Sequence, residues 1–505
     1  MQLIRRLWQE KPLQLILFAG FFFRMLSVIF SKGFGMHDDH FLIIEAAQSW
    51  VDGSDYNYWL PSADDPNRQP QGHSLFYVGI IYYILSFLKL IGLDDPQGKM
   101  YVIRLIHGLF SLLVVYYAYK IAEKKSGIKV AKTVGIFLAL FWMLPFLSVR
   151  NLIEVVCIPP LLAATWMIIK NEEKNTFKPY LFAGLLLGLA FSIRFQTIMF
   201  TAGFGLALLF TKKVKGAFIT GFTFLLIACA TQGIIDYFIW RRPFAEFQEY
   251  VIYNINNAMS YNVGEWYMYI LFLAGVLIPP ISLFLFFGYF RLWKKQLLLF
   301  LPSFVFLAFH SYFPNKQERF IVPILPFIVT LGFMGWHEFK ERSQFWQRRQ
   351  KLYRGSWIFF WSLNTVALLF ISVSYSKRNR VEAMCYLAKK GDVVNIIMED
   401  SNRDDFLMPP LFYLKKWISP YGVTKQSPAK EIYEQYKKLP DNEKPNYIVF
   451  LQAENISTRS ALMKFYFPDM KYETTIEPSA VDKLMHFLNP MNNENHTTYI
   501  YKIGD

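Results

Sequence analysis

Cysteine is the scarcest chemistry-bearing residue of this chain, with three in 505 residues. Cys157 and Cys229 lie inside apolar runs and Cys385 stands alone far downstream, so the spacing supports neither a metal site nor a disulfide framework. Internal repeats and long low-complexity tracts are also missing, which excludes repeat arrays and extended flexible linkers. Negative charge is in short supply, with 38 Asp and Glu against 53 Lys and Arg and a net charge of +15. The first apolar run, 13–30, follows the basic segment MQLIRRLWQEK and has no small-residue cleavage site after it. It is therefore expected to be a retained membrane span and not a removed leader.

What the chain has in excess is apolar surface. Hydrophobic residues make up 54% and aromatic residues 18% of it, a composition that points to repeated membrane spans. A span needs roughly 20 apolar residues to cross about 30 Å of hydrocarbon. Runs near 13–31, 100–120, 133–149, 152–169, 180–194, 197–211, 217–235, 266–290, 296–311, 321–339 and 356–375 give about eleven candidates. Lys and Arg cluster between these runs, so membrane topology accounts for the basic charge and no nucleic-acid partner is called for. Arg5, Arg6 and Lys11 place the N-terminus in the cytoplasm, and the clusters at 120–132, 170–178, 212–215, 291–295 and 340–354 fall on the same side.

That alternation holds only if the apolar stretch 75–93 does not cross, so it is expected to be an interfacial or re-entrant helix. The run 180–210 would be about 46 Å long as one helix. It carries Arg194 and Gln196 near its middle, and two short helices meeting at the outer surface fit better. Beyond residue 375 the composition turns polar. VVNIIM (393–398), NYIVFL (446–451) and TTYIYKI (497–503) read as strands, with helix-like EIYEQYKKL between them. The expected organisation is an α-helical integral membrane domain over 1–375, with a first external loop at 32–99, and a small α/β extracytoplasmic domain over 376–505.

The first external loop contains GMHDDHFLIIEAAQSWVDG, which places His37, Asp38, Asp39 and His40 just beyond the first span. A carboxylate at that surface can take a proton from an acceptor hydroxyl. The ordinary use of such a pair is a solvated acidic loop, and Asp64 with Asp65 and Asp94 with Asp95 are read that way. Arg150, Asn151 and Glu154, then Arg194 and Gln196, sit at the mouths of later helices, where ionisable groups are costly. They are either an ion pair tying helices together or a phosphate site. The segment DYFIWRRPFAEFQEYVIYNINNAMSYNVGEW is rich in rings that suit both sugars and membrane interfaces. PNKQERFIVPILP puts Lys316, Glu318 and Arg319 directly before a span, where cations neutralise a phosphate leaving group or anchor to lipid headgroups.

Read in order, these segments resemble glycosyltransferase family 22, the GT-C mannosyltransferases of GPI-anchor and N-glycan assembly, over about the first 340 residues. The family's His-Pro-Asp-Glu signature looks like His37-Asp38-Asp39-His40, with Glu45, Ala46, Ala47 and Gly53 in register, so Asp39 matches the family's Asp. YWLP with Arg68 resembles its Trp-Glu-Trp and Arg-Ser stretch, and the helix after Arg104 its Arg-Leu helix. SVRNLIE and GLAFSIRFQT resemble its Arg-bearing helix ends. Asp236-Tyr237, Tyr253-Asn254 and Gly264-Glu265-Trp266-Tyr267 follow a long family motif in the same order. Asn315-Lys316-Gln317-Glu318-Arg319-Phe320 is similar to His-Lys-Glu-x-Arg-Phe, keeping Lys, Arg and Phe.

The resemblance implies a polyprenyl-phosphate sugar, most simply polyprenyl-phosphate mannose, as donor and a glycan or glycolipid as acceptor, with inversion at the extracytoplasmic face. No cytoplasmic loop is large enough for a nucleotide-sugar domain, which agrees with a lipid donor. In the implied scheme Asp39, with Asp38, activates the acceptor. Arg194, Lys316, Arg319 and Arg150 bind the donor phosphate. His37, Glu45, Arg68, Asp236, Tyr253, Asn254, Trp266 and Tyr267 orient or bind substrate, and neither metal nor cofactor is required. The expected location is a bacterial inner membrane or the endoplasmic reticulum membrane. A transporter or flippase of lipid-linked sugars is the competing class; transporters often carry two related halves, and none is found.

Overall fold

The computed structural model describes residues 2–504 apart from 63, 64, 66, 175 and 492, so Asp64 lies outside the described residues. Six helices among them are long and apolar enough to cross a membrane: Pro12–Phe30, Pro96–Leu140, Ile153–Lys170, Val214–Trp240, Glu318–Arg342 and Gln350–Ser372. The sequence predicts about eleven spans, and the shortfall has local causes. The run 100–120 and the first part of 133–149 fall in Pro96–Leu140, which is two helices joined across a kink at Gly127, with φ 80° and ψ 174°. The run 266–290 is cut at Pro279 and Pro280, which lack the N–H a helix needs, leaving Met268–Val276 and Ile281–Arg291. The run 180–210 divides at Arg194, whose backbone is extended, into Lys178–Ile193 and Thr197–Phe210. Leu297–Tyr312 and Leu75–Leu90 have 16 residues each, about 24 Å of helix.

The chain forms two compact units. The first comprises 1–28, 58–83 and 103–372. At its centre is Glu318–Arg342, buried from Ile321 to Trp336; 89% of its most apolar stretch is buried, against 28% for Pro12–Phe30 and for Gln350–Ser372 at the periphery. Helix contact here depends on small residues, as in membrane interiors where close backbone approach replaces the hydrophobic drive of water. A Cβ on Gly288 would stand 1.9 Å from the Gly332 carbonyl oxygen, and one on Gly335 2.1 Å from that of Gly288. Arg24, buried in Pro12–Phe30, links two helices by donating to Ser111 Oγ (2.7 Å) and to the carbonyls of Gly20 (3.1 Å) and Ala139 (3.3 Å).

The second unit comprises 29–57, 84–102 and 373–505. Its sheet has strands β1 (Ile396–Glu399), β2 (Tyr421–Val423), β3 (Tyr447–Phe450), β4 (Lys471–Ile476) and β5 (Thr498–Lys502), in the order β2-β1-β3-β5-β4. β1 runs parallel to β2 and β3, while β5 is antiparallel to β3 and β4. Two of the three strand-like segments of the sequence contain β3 and β5, and 393–398 overlaps β1, which extends one residue further to Glu399. β1 and β3 are buried throughout and carry the continuous apolar runs expected of central strands. Ile397, Val423, Ile448 and Phe450 pack with Ile432, Met463 and Phe467 of the covering helices. The early segment is tied to this body where Ser31 Oγ donates to the Ser374 carbonyl (3.0 Å) and Gly33 pairs with Ser376.

Candidate active site

In the second unit, the HDDH segment forms a single helical turn, His37–His40, followed by a π-helical turn over Phe41–Glu45. Asp39 is its third residue and caps it. Its Oδ2 accepts from the Gly35 amide (2.8 Å) and its Oδ1 from the Met36 amide (2.9 Å), so the buried carboxylate has a fixed orientation. Asp38 is half-buried and His37 exposed, its ring stacked on Phe41 at 4.6 Å. His40 is buried between the rings of Phe34 (4.7 Å) and Tyr413 (5.4 Å). The widened turn brings Glu45, fully buried, to 3.4 Å from His40 Nε2, and its Oε1 accepts from the Phe412 amide at 2.9 Å. Glu45 is thus placed against His40 and the backbone of Phe412. Arg380 lies over Phe34 (5.2 Å) and Phe41 (5.7 Å) and donates to the Met408 carbonyl. Burial lowers it to about 10, which leaves it charged at neutral pH. The sequence marks His40 as part of its motif but assigns it no role, and neither Arg380 nor Tyr413 stands out there as part of this centre.

A second cluster is built in the first unit. Arg194, at the break between two helices, meets Glu154: its Nη1 is 2.5 Å from Glu154 Oε1. Arg319 Nε lies 3.7 Å from the same oxygen and donates to Gln317 Oε1 at 2.9 Å. The ring of Phe320 lies beneath both guanidinium groups, at 5.5 and 5.7 Å. Arg194 is only 2% exposed, yet its Nε has no hydrogen-bond partner. Such an orphaned charged donor is costly unless a ligand satisfies it. Tyr250 sits in the field of Arg194, Glu154 and Arg319 and bonds to Gln196. Burial pushes its phenol up to about 12, so it remains a neutral donor.

Lys316 lies in the same segment but is used differently. Its ammonium donates to the carbonyls of His310 (2.8 Å), Ser311 (2.7 Å) and Phe313, closing the end of helix Leu297–Tyr312. The segment before Arg319 pairs with the aromatic stretch: Val263 bridges Asn315, and the Lys316 amide donates to the Asn262 carbonyl at 2.8 Å. Trp266 and Tyr267, both exposed, are therefore adjacent to it in the fold. Tyr253 is exposed and its phenol bonds to that of Tyr261, while Asn254 donates to the Tyr250 carbonyl at 2.8 Å. Arg150 is buried against Phe146 at 4.4 Å. Arg68 donates to the Leu60 carbonyl at 2.9 Å and covers Tyr58 at 5.1 Å.

Asp236 is fully buried and accepts from Gln232 Nε2 (2.8 Å) and the Glu246 amide (3.0 Å). Glu246 in turn accepts from the amides of Gly72 (2.8 Å) and His73 (3.1 Å) and from Trp240 Nε1 (2.8 Å). Nothing in the sequence singles out Glu246, because two of its three donors are backbone amides far away in the chain. Among the described residues no three His, Cys, Asp or Glu side chains are grouped to hold a metal ion.

A polytopic helical body with a mixed sheet is the architecture of membrane glycosyltransferases of GT-C type, and here it carries a fixed carboxylate after the first span and the buried Arg194 near Arg319. Residues 15–406 match the model of the Alg9-like mannosyltransferase family, and the chain belongs to that family. GPI mannosyltransferase 3 of Debaryomyces hansenii is 21% identical over 408 residues, 77% of this chain and 70% of that protein. The alpha-1,2-mannosyltransferase ALG9 of Arabidopsis thaliana is 25% identical over 47% of this chain and 42% of its own length. The fold matches that of ArnT from Cupriavidus metallidurans bound to undecaprenyl phosphate, with a TM-score of 0.60 and 11% identity over 97% of this chain and 98% of that one.

Proposed function

We propose that this enzyme transfers a hexose, mannose in keeping with its family, from a polyprenyl-phosphate donor to a hydroxyl of a glycan or glycolipid at the extracytoplasmic face. The Asp38 and Asp39 pair takes the hydroxyl proton. The acceptor oxygen then bonds to the anomeric carbon while the bond from that carbon to the phosphate oxygen breaks, and the phosphate leaves with the electron pair. Direct displacement from the opposite face inverts the anomeric centre. Arg194 and Arg319 stabilise the phosphate through charge-assisted hydrogen bonds, strengthened where water is excluded. Lys316 holds the segment from which Arg319 projects.

The observation that carries this reading is the buried Arg194, whose Nε–H lacks a partner beside a second guanidinium. Relatives that are mannosyltransferases, and a similarly folded protein bound to undecaprenyl phosphate, support the substrate class. The test is sugar transfer in proteoliposomes supplied with polyprenyl-phosphate mannose. Asp39→Asn is expected to lose at least about 10²-fold in rate, the usual share of a general base, and Arg194→Ala to lose donor affinity as well. Near-normal transfer by Asp39→Asn, with Asp38→Asn inactive, would assign the base to Asp38. Near-normal transfer by both would sink the acid-centre assignment.

A further inference from the structure

The sheet of the second unit carries a cleft that the transfer reaction does not use. It measures about 330 Å³ and lies along the edge strand β2, from Pro420 to Gly422, bounded by the loops that follow β1 and β2. Side chains from both loops and from the helix Ala429–Lys438 converge there. Phe406, from the loop after β1, rests on the backbone of β2: a Cβ on Gly422 would stand 2.2 Å from its Cδ1. Phe406 and Tyr421 supply rings, and Asp405, Gln426, Ser427 and Gln435 supply polar groups around them. Thr424 Oγ1 accepts from the amides of Gln426 (3.2 Å) and Ser427 (3.1 Å), which fixes that rim. The side chains of Asp405 and Gln426 have no protein partner among the described residues.

We infer that this cleft binds a neutral segment of the glycan acceptor, an inference that rests on the proposed reading that the acceptor is a glycan. A pyranose has an apolar C–H face that stacks on a ring and a rim of hydroxyls that need acceptors and donors. Carboxylate and amide groups meet that need: Asp405 accepts two hydroxyl protons, and Gln426 both donates and accepts. The charge of the rim excludes an anionic ligand, since Asp404 and Asp405 border it and the nearby Lys425 is 3.9 Å from Asp404. The volume lies near the lower end of the range of small-ligand sites, about 300–1,000 Å³, and suits one or two sugar units.

The test is saturation-transfer NMR and calorimetry with mannotriose on the full chain in detergent micelles. Wild-type protein is expected to bind it. Asp405→Asn, on an exposed side chain that leaves the fold intact, should weaken binding at least tenfold, and Phe406→Ala should weaken it as far or further. Gly422→Val, which displaces the ring without altering a polar group, should do the same with the unfolding midpoint checked alongside. Asp39→Asn should bind mannotriose as the wild type does, whatever becomes of its transfer rate, so failure of the acid centre and failure of this cleft are distinguishable. No binding by the wild type, or binding indifferent to both Asp405→Asn and Phe406→Ala, would overturn the inference.

Discussion

Glu246 holds its carboxyl among three N–H donors in a buried site, with Asp236 close by. Burial is the main reason it rises from 4.5 to about 7; Asp236 adds to the rise and the donors oppose it. A raised value in the folded state means that the folded protein binds this proton more tightly than the unfolded chain does. The stability so gained is complete below pH 4.5 and is lost as the pH rises through about 7. It amounts to at most about 3 kcal/mol. The thermal midpoint in detergent should therefore fall between pH 4.5 and 7, and Glu246→Gln should flatten that slope; parallel curves would mean another group titrates. At this scale the sequence was informative about residue type and silent about environment. It picked out Asp38 and Asp39, but which of them is buried as a cap depends on the amides of Gly35 and Met36. It left Arg194 between an ion pair and a phosphate site, and the structure contains the ion pair together with an unpartnered Nε.

Helices were legible where a polar break interrupted an apolar run, as at Arg194, but the run 266–290 passed for one span because Pro279 and Pro280 leave its apolar pattern unbroken. The basic stretch 120–132 between two apolar runs brackets Gly127, where a positive φ separates the two helices. β2 and β4 escaped for opposite reasons: β2 has three residues, and β4, KYETTI, has a polar, partly exposed face that gives no apolar run. Glycine spacing along Ile281–Arg291 and Leu325–Arg342 has a sharper consequence. Since a Cβ on Gly288 would collide with backbone and not with a movable side chain, Gly288→Val forces the two helices apart. Overpacking of this kind costs about 1–3 kcal/mol or more. The variant should show a lower unfolding midpoint and a reduced yield of monodisperse protein, while Gly205→Val, where nothing lies within 4 Å of the added Cβ, should match the wild type in both measurements.

For the molecule in its membrane, loop charges predict that residues 376–505 lie on the side away from the basic clusters. Lys425→Cys in intact cells or sealed vesicles should react with a membrane-impermeant maleimide added outside, and Lys213→Cys should react only after permeabilisation; the reverse pattern would invert the topology. The wild-type cysteines provide the background, Cys157 being buried and Cys229 and Cys385 more accessible. Membrane orientation follows from charge bookkeeping along the chain, so the sequence speaks to it directly. Contacts between distant segments, such as Glu246 with Gly72, do not leave such a trace. Glu154, finally, gives the arginine centre a counter-ion of its own. One carboxylate oxygen faces both guanidinium groups, so a donor phosphate bound there as proposed would compete with a resident anion. On the proposed mechanism, part of the phosphate's binding energy would be forfeited at arrival and recovered at departure, when Glu154 reclaims the arginines, which would favour rapid turnover over tight retention.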